Sequence, residues 1–550
     1  MHRFWAIVLT LVVVGGLVLS SCATPDTTPA PTPTPAPATT PAPAPVQETG
    51  PRPTPSTPAT AAAPAPTTTP SGGQKYGGIF TFIRPAGPPQ FGWTPTFAAG
   101  EVAGASPSVE ALIRFDTTGS PLPHLATGWQ VDPNGKFITF SLQKGVKFQD
   151  DTDFNAEAVK YNIDLEMKLR PGELPGIASV DVIDNYTVRL NLDFFSNNLW
   201  DRLGSRALIS SPQHLAKGEE FCKFYPLGTG PFKFVEWKRD AYIKYVRNDN
   251  YWQPGKPYLD GLMILFIADP MTGSATLMAG EADAYYQPGF KEAYDLVQKG
   301  YNSFAIPGLI MGLSPDTKNP NSAFKDVRVR QALEYAIDRD ALVKTLGYGY
   351  LHARTQFIPP GYLGYLPELN RQYNPAKARE LLAEAGYTNG FKTTIVADAE
   401  FVDRDMMAAI QAYLAAVSIT TEIDFADPGR YADWRRKSGW TNALMFMRNG
   451  GFPWPPNLSA FILDAKRNDY ASMARPAGMQ EILDGLLAAT TLESQTDLAQ
   501  QLEKMLFDDA TFMPLYTQDS VGIEAPWVQD CNQFVTTITE WTPEDVWLNK

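Results

Sequence analysis

The sequence predicts a mixed α/β protein of two or more lobes, and three observations carry that reading. Helical and strand periodicities alternate along the chain, 44% of its residues are apolar, and the patterned stretch from about Tyr76 to Lys550 is long for one compact domain. A sandwich or a helical bundle would not alternate in this way.

A leader precedes that body. His2 and Arg3 give a short positive start, Phe4 to Leu19 form an uncharged core too short to span a bilayer comfortably, and Leu19-Ser20-Ser21-Cys22 closes it. These four residues resemble the lipobox of bacterial lipoproteins, which implies cleavage of a signal peptide (1–21) before Cys22 and a diacylglycerol on its sulfur. The alternative is an ordinary cleaved signal with a chance cysteine. Residues 22–75 then read as a tether: Pro25 to Pro70 hold 16 prolines among Thr, Ala and Ser, with Asp26, Glu48 and Arg52 the only charges. Proline fixes φ and lacks an N–H, so such a segment is extended and solvated, reaching up to roughly 160 Å at ~3.1 Å per residue. Use of this segment as a ligand for a polyproline-binding domain is disfavoured, because basic flanking residues are nearly absent.

In the body, Ile138, Phe140 and Leu142 alternate with Phe137, Thr139 and Ser141, which predicts a strand entered from the turn Asp132-Pro133-Asn134-Gly135. Val188, Leu190 and Leu192 predict another. A helix starts at the cap Asn374 with Pro375 in its first turn, carries Ala378, Leu381, Leu382 and Ala385 on one face and stops at Gly386. A second begins near Asp326 with Val329, Ala332, Leu333, Ala336 and Ile337.

The net charge of −13 and the lack of any Lys/Arg run disfavour a nucleic-acid partner. Beyond the leader only His124, His214 and His352 are present, far apart, with no H-E-x-x-H, paired C-x-x-C or ligand cluster, so neither a metal nor a cofactor is expected. The phosphate-binding G-x-x-x-x-G-K-[ST] and the G-x-S-x-G elbow are absent. Ser141 to Lys144 and Ser322 to Lys325 read S-x-x-K, but without S-D-N and K-T-G these are chance matches. Adjacent pairs such as Asp150-Asp151 and Asp508-Asp509 belong in solvated turns. Cys222 and Cys531 stay open between one disulfide and two buried thiols.

Longer stretches carry a resemblance. Leu125-Ala126-Thr127-Gly128-Trp129-Gln130-Val131, Asn134-Gly135-Lys136, Phe140 through Phe148 and Phe154-Asn155-Ala156-Glu157-Ala158-Val159 come first. They are followed by Pro226-Leu227-Gly228-Thr229-Gly230-Pro231-Phe232, Asn250-Tyr251-Trp252, Ala279-Gly280-Glu281-Ala282-Asp283 and Phe324 through Ala332 with Ile337-Asp338-Arg339. In this order they resemble family 5 extracellular solute-binding proteins, the peptide, oligopeptide and nickel binders of ABC importers, from about residue 76 to the C-terminus. The resemblance implies a two-lobed periplasmic-binding-protein-like fold with mixed sheets, a hinge of two crossing strands and an extra subdomain in the larger lobe. The larger lobe is expected at 76–307 plus 511–550 and the second at 308–510, with crossings near Pro307 and near Met513-Pro514-Leu515. Gly228 and Gly230 are expected to permit a tight turn, and Asp338-Arg339 to cap and pair at a helix end.

Ligand preference is where the chain departs from peptide-binding members. Their Gly-Trp segment carries an aspartate for the peptide's α-ammonium, whereas Arg448-Asn449-Gly450-Gly451-Phe452-Pro453-Trp454-Pro455-Pro456-Asn457 has no carboxylate. An ammonium buried there without a counter-charge would cost several kcal/mol. Dipeptide binders also place an arginine where this chain has Pro360. Candidate ligand contacts are Trp93, Tyr285, Tyr286, Gln287, Phe452 and Trp454 as stacking or amide groups, Asn449 beside them, and Arg354 and Arg448 for an anionic group. Each is weighed against an ordinary core or surface role.

The sequence therefore predicts a non-enzymatic, monomeric, extracytoplasmic binding protein held to the membrane through lipidated Cys22 alone. It would capture a peptide or other small molecule and hand it to the transmembrane subunits of an ABC permease. A binder of a non-peptide ligand such as an oligosaccharide is the nearest alternative; a secreted hydrolase or a structural surface protein is the more distant one.

Overall fold

Alternation along Phe137–Leu142 buries Ile138, Phe140 and Leu142 and turns Ser141 outward, and Thr187–Leu192 buries Val188, Leu190 and Leu192 likewise. The two strands pair antiparallel at the centre of a four-stranded sheet ordered 126–131, 137–142, 187–192, 177–184. Helix Ala156–Leu169 joins it, capped by Asn155, which accepts the Ala158 N–H at 3.0 Å. Val159 and Ile163 from this helix share one core with Phe140, Leu190 and Leu203. This is the extra subdomain.

The computed structural model describes residues 73–97, 99–116, 120–449, 463–467, 469–531, 541 and 543–550. The leader 1–21, Cys22 with nearly all of the tether, and the candidates Phe452 and Trp454 lie outside the described residues. The rest of the fold is organised by an 11-stranded mixed sheet. Its order is 419–426, 391–398, 443–449, 302–315, 513–524, 284–286, 79–84, 261–266, 242–247, 232–238, with 351–353 added beside 513–524.

Two long antiparallel strands, Asn302–Pro315 and Met513–Glu524, run through both halves of this sheet. At one end Glu524 and Gly522 pair with Ala284 and Tyr286; at the other, Gln518 and Tyr516 pair with Leu351 and Ala353. The crossing expected near Pro307 falls inside the first strand, which runs straight through that proline. The register shifts between Pro307 and Leu309, which is where a residue without an N–H is tolerated in a ladder.

The predicted helices form. Asn374 Oδ1 accepts the Lys377 N–H at 3.0 Å to start Pro375–Glu384, which buries Ala378, Leu381 and Leu382. Asp326 starts Val327–Ala336, which buries Val329, Ala332, Leu333 and Ala336. Asp338 caps the next helix, Arg339–Leu346, through the Ala341 N–H. Arg339 does not pair with Asp338; it is buried and donates to the carbonyls of Glu334 and Pro514, tying the helix pair to the crossing strand.

The landmark motifs meet at a single buried carboxylate, Glu110. Its Oε1 receives the Tyr251 hydroxyl at 2.8 Å and lies 2.9 Å from His124 Nε2. Its Oε2 accepts from Thr229 Oγ1 at 2.6 Å and Trp252 Nε1 at 3.0 Å. Burial pushes the Glu110 carboxyl up, but His124, Arg114 and the hydrogen bonds outweigh it and bring it down to about 2. Gly228 and Gly230 serve a different purpose from the expected tight turn. A Cβ on Gly228 would lie 2.6 Å from the Ser108 carbonyl oxygen and one on Gly230 2.7 Å from that of Pro107, so both permit close backbone approach.

Candidate functional site

Parallel strands in an α/β lobe present their C-terminal ends to a crevice, because loops and unpaired backbone groups collect there. On one side of the crossing pair, Ile79–Arg84 runs parallel to Gly261–Phe266 and to Ala284–Tyr286, so these strands end together at Arg84, Phe266 and Tyr286. On the other side, Phe391–Asp398 runs parallel to Ile419–Ala426 and Ala443–Asn449, ending at Asp398, Ala426 and Asn449.

Both sets of ends are directed at the crossing. Tyr286 is opposite Gly522, which is opposite Phe304; Asn449 is opposite Ile310 of the same strand as Phe304. Six residues of extended chain separate Phe304 from Ile310, about 20 Å at ~3.3 Å per residue. The crevice therefore opens over residues 304–310, walled by Arg84 and Tyr286 on one side and by Asp398, Arg448 and Asn449 on the other.

Electrostatics differ between the walls. Arg448 stands 3.4 Å from the centroid of the Phe401 ring and 3.8 Å from Asp398, a cation–π contact backed by an ion pair. Desolvation works against its charge and Asp398 supports it. Arg354 hangs off the short strand Leu351–Ala353, its N–H bonded to the Leu515 carbonyl and its Nη1 to that of Ala353, with Asp519 as its charged neighbour. Asp519 in turn lies 2.7 Å from His352 Nε2. Across the crevice, Arg84 sits over the Tyr286 ring at 4.8 Å.

Of the residues singled out in the sequence, Tyr286, Arg448 and Asn449 reach these strand ends. Gln287 is exposed just beyond Tyr286, in a left-handed conformation at φ 56, with its N–H on the Val521 carbonyl. Tyr285 points the other way: it is 1% exposed within an apolar cluster, and a Cβ on Gly273 would lie 2.7 Å from its ring. Trp93 is also a core residue, packed with Leu215 and Cys222. Period two, which sends neighbouring side chains to opposite faces, accounts for Tyr285, whereas Trp93 stands just before the short 3-10 helix Thr94–Thr96. Cys222 and Cys531 are not joined by a disulfide in this structure; each is buried in a different cluster.

Sequence reasoning missed Arg84, Asp398, Phe401 and Asp519. A signal existed for two of them: Arg84 and Asp398 are charged residues that directly follow the apolar runs Phe82-Ile83 and Ile395-Val396-Ala397 at the ends of their strands. Among the described residues no helix is long and apolar enough to cross a membrane, and no group of three or more His, Cys, Asp or Glu side chains could hold a metal ion.

A crevice between two sets of strand ends, bridged by crossing strands and bare of a catalytic constellation among the described residues, defines a two-lobed substrate-binding protein. Residues 120–470 match the family model of bacterial extracellular solute-binding proteins, family 5 (middle region). The glutathione-binding protein GsiB of Escherichia coli (strain K12) is 30% identical over 430 residues, covering 72% of this chain and 81% of GsiB. Two solved structures share the fold. NikA from Brucella suis in complex with Fe(III)-EDTA has a TM-score of 0.77 at 23% identity, covering 86% of this chain and 100% of NikA. The periplasmic binding protein DppA from Helicobacter pylori in complex with the peptide STSA has a TM-score of 0.71 at 24% identity, covering 86% of this chain and 99% of DppA. The chain belongs to the family 5 bacterial extracellular solute-binding proteins, whose members bind solutes and are not enzymes.

Proposed function

We propose that this protein is a lipid-anchored, peptide-type binding protein that takes its ligand into the crevice over residues 304–310 and delivers it to an ABC importer. The lobes are those expected from the sequence, 76–307 with 511–550 and 308–510, and the ligand is held as they close. Closure is a shift of population set by the ligand's differential affinity for the two arrangements. Cys22 carries the lipid and the proline-rich segment spaces the body from the membrane.

The observation that carries the reading is the convergence of Tyr286 and Asn449 on the two crossing strands, one from each side. The likeness to a glutathione-binding protein supports a small peptide-like ligand. Asp398, the carboxylate that ends Phe391–Asp398, already faces Arg448, so it is not left to receive a peptide's α-ammonium. The ligand is therefore one that needs no free ammonium.

Calorimetry against di- to pentapeptides, each with a free and an N-acetylated amino terminus, tests this, with glutathione and neutral oligosaccharides in the same panel. Acetylation should leave affinity unchanged within a few-fold. Sub-micromolar binding that acetylation abolishes would overturn the ammonium argument, and binding of oligosaccharides alone would replace the peptide-type reading with a sugar-type one.

A further inference from the structure

Arg84 is a half-buried cation with no counter-charge among the described residues. Its Nη1 is shielded from solvent with no hydrogen-bond partner, and the group its guanidinium faces is the ring of Tyr286. Tyr286 is itself 2% exposed and hydrogen-bonded to Ser520 on the crossing strand. Burial opposes the charge of Arg84, and no carboxylate is among the groups that support it. Arg448, on the opposite wall, has Asp398 at 3.8 Å.

A guanidinium N–H₂ shielded from water without an acceptor is costly, and a fold avoids it unless another requirement keeps it. A methionine or leucine in its place would pack on Tyr286 and Phe266 at no such penalty. Five N–H donors in a planar fork, one face fixed by an aromatic ring and placed at a strand end over the crossing, suit a planar oxyanion. We propose that Arg84 is the anchor for a carboxylate of the ligand, with Tyr286 holding the guanidinium flat from beneath. The proposal rests on the crevice assignment above and sharpens it: the ligand is anionic at the end that meets the first wall.

The test uses Arg84→Met, which keeps the apolar stem over Tyr286 and removes the charge. Calorimetry on the mature chain compares the peptides and glutathione with forms whose carboxylates are amidated or esterified. The wild type should prefer the free carboxylate by about tenfold or more, and the variant should bind both forms alike. A variant that keeps the wild-type preference overturns the proposal and leaves the crevice reading intact.

A second measurement needs no peptide. In urea the ligand-free variant should be more stable than the wild type, since it lacks the shielded Nη1 without an acceptor, and sulfate at constant ionic strength should stabilise the wild type more than the variant. A less stable variant with no difference in response to sulfate makes Arg84 a packing residue and overturns the proposal. If the wild type binds no peptide while both stability results hold, the anchor stands and the peptide-type reading fails.

Discussion

Asn197 Nδ2 lies 2.8 Å from the carbonyl oxygen of Ala489 and 3.1 Å from that of Leu486, so a residue of the four-stranded subdomain closes the C-terminal end of helix Met479–Ala488. The Asn197 N–H adds a bond to the Leu487 carbonyl at 2.8 Å, and Gln495 Nε2 reaches Ala489 at 2.9 Å. A helix end leaves carbonyls without partners, and here the partner comes from the other side of the proposed lobe boundary. Asn197→Ala should lower stability by on the order of 3 kcal/mol in urea, because two buried carbonyls lose a donor. Asn197→Asp should be worse, since it turns a carboxylate on those carbonyls. A loss under about 0.5 kcal/mol for both would show that the contact contributes nothing.

Glu110 supports a second prediction. Three donors from the landmark motifs, Thr229, Tyr251 and Trp252, converge on it together with His124, so Glu110→Gln, which turns an N–H₂ toward some of them, should destabilise by roughly 3 kcal/mol. The double variant Glu110→Gln with Thr229→Val should lose less than the sum of the singles, since the two share a bond. Strict additivity in denaturation would refute the network.

Glu503 sets a pH dependence. It accepts the N–H groups of Phe357 at 2.8 Å and Ile358 at 2.7 Å, yet burial outweighs both bonds and pushes its carboxyl up to about 7. The folded state therefore holds this proton where the unfolded chain, at the ordinary 4.5, has released it. Stability credited to the group is full below pH 4.5 and is lost as pH rises through about 7, up to ~3 kcal/mol. Glu503→Gln removes the titration. The wild-type minus variant stability, from urea melts at pH 5 and pH 8, should be smaller at pH 8; a difference equal at both would contradict the assignment.

Lipidation at Cys22 predicts that Cys22→Ser releases the protein from membranes into the soluble fraction. Two or three acyl chains hold a protein durably at ~0.8 kcal/mol per buried CH₂, and the variant would have none. Salt-resistant membrane retention of the variant would count against the anchor.

What the sequence made legible follows from the range of the forces involved. The strand Phe137–Leu142, the cap at Asn374 and the helix after Asp326 are decided within a few residues, and all three formed where expected. The motifs identified the family although their shared carboxylate, Glu110, lies outside every one of them. Tyr285 and Tyr286 look alike in sequence and both are buried; only the face each presents in the sheet puts one in an apolar cluster and the other beneath the Arg84 guanidinium. Arg84 is conspicuous only once its surroundings are known to lack an acid. Gly228 and Gly230 were visible as glycines, but the backbone they admit, at Pro107 and Ser108, is more than a hundred residues away.

The central claim is capture of a solute between two lobes. Small-angle scattering of the mature chain, alone and saturated with the panel member that binds most tightly in calorimetry, tests it directly. The account predicts one ligand per chain and a smaller radius of gyration at saturation, with Asn197→Ala shifted toward the larger value at partial saturation. A radius unchanged by a ligand shown to be bound, or a chain that binds no member of the panel, would contradict it.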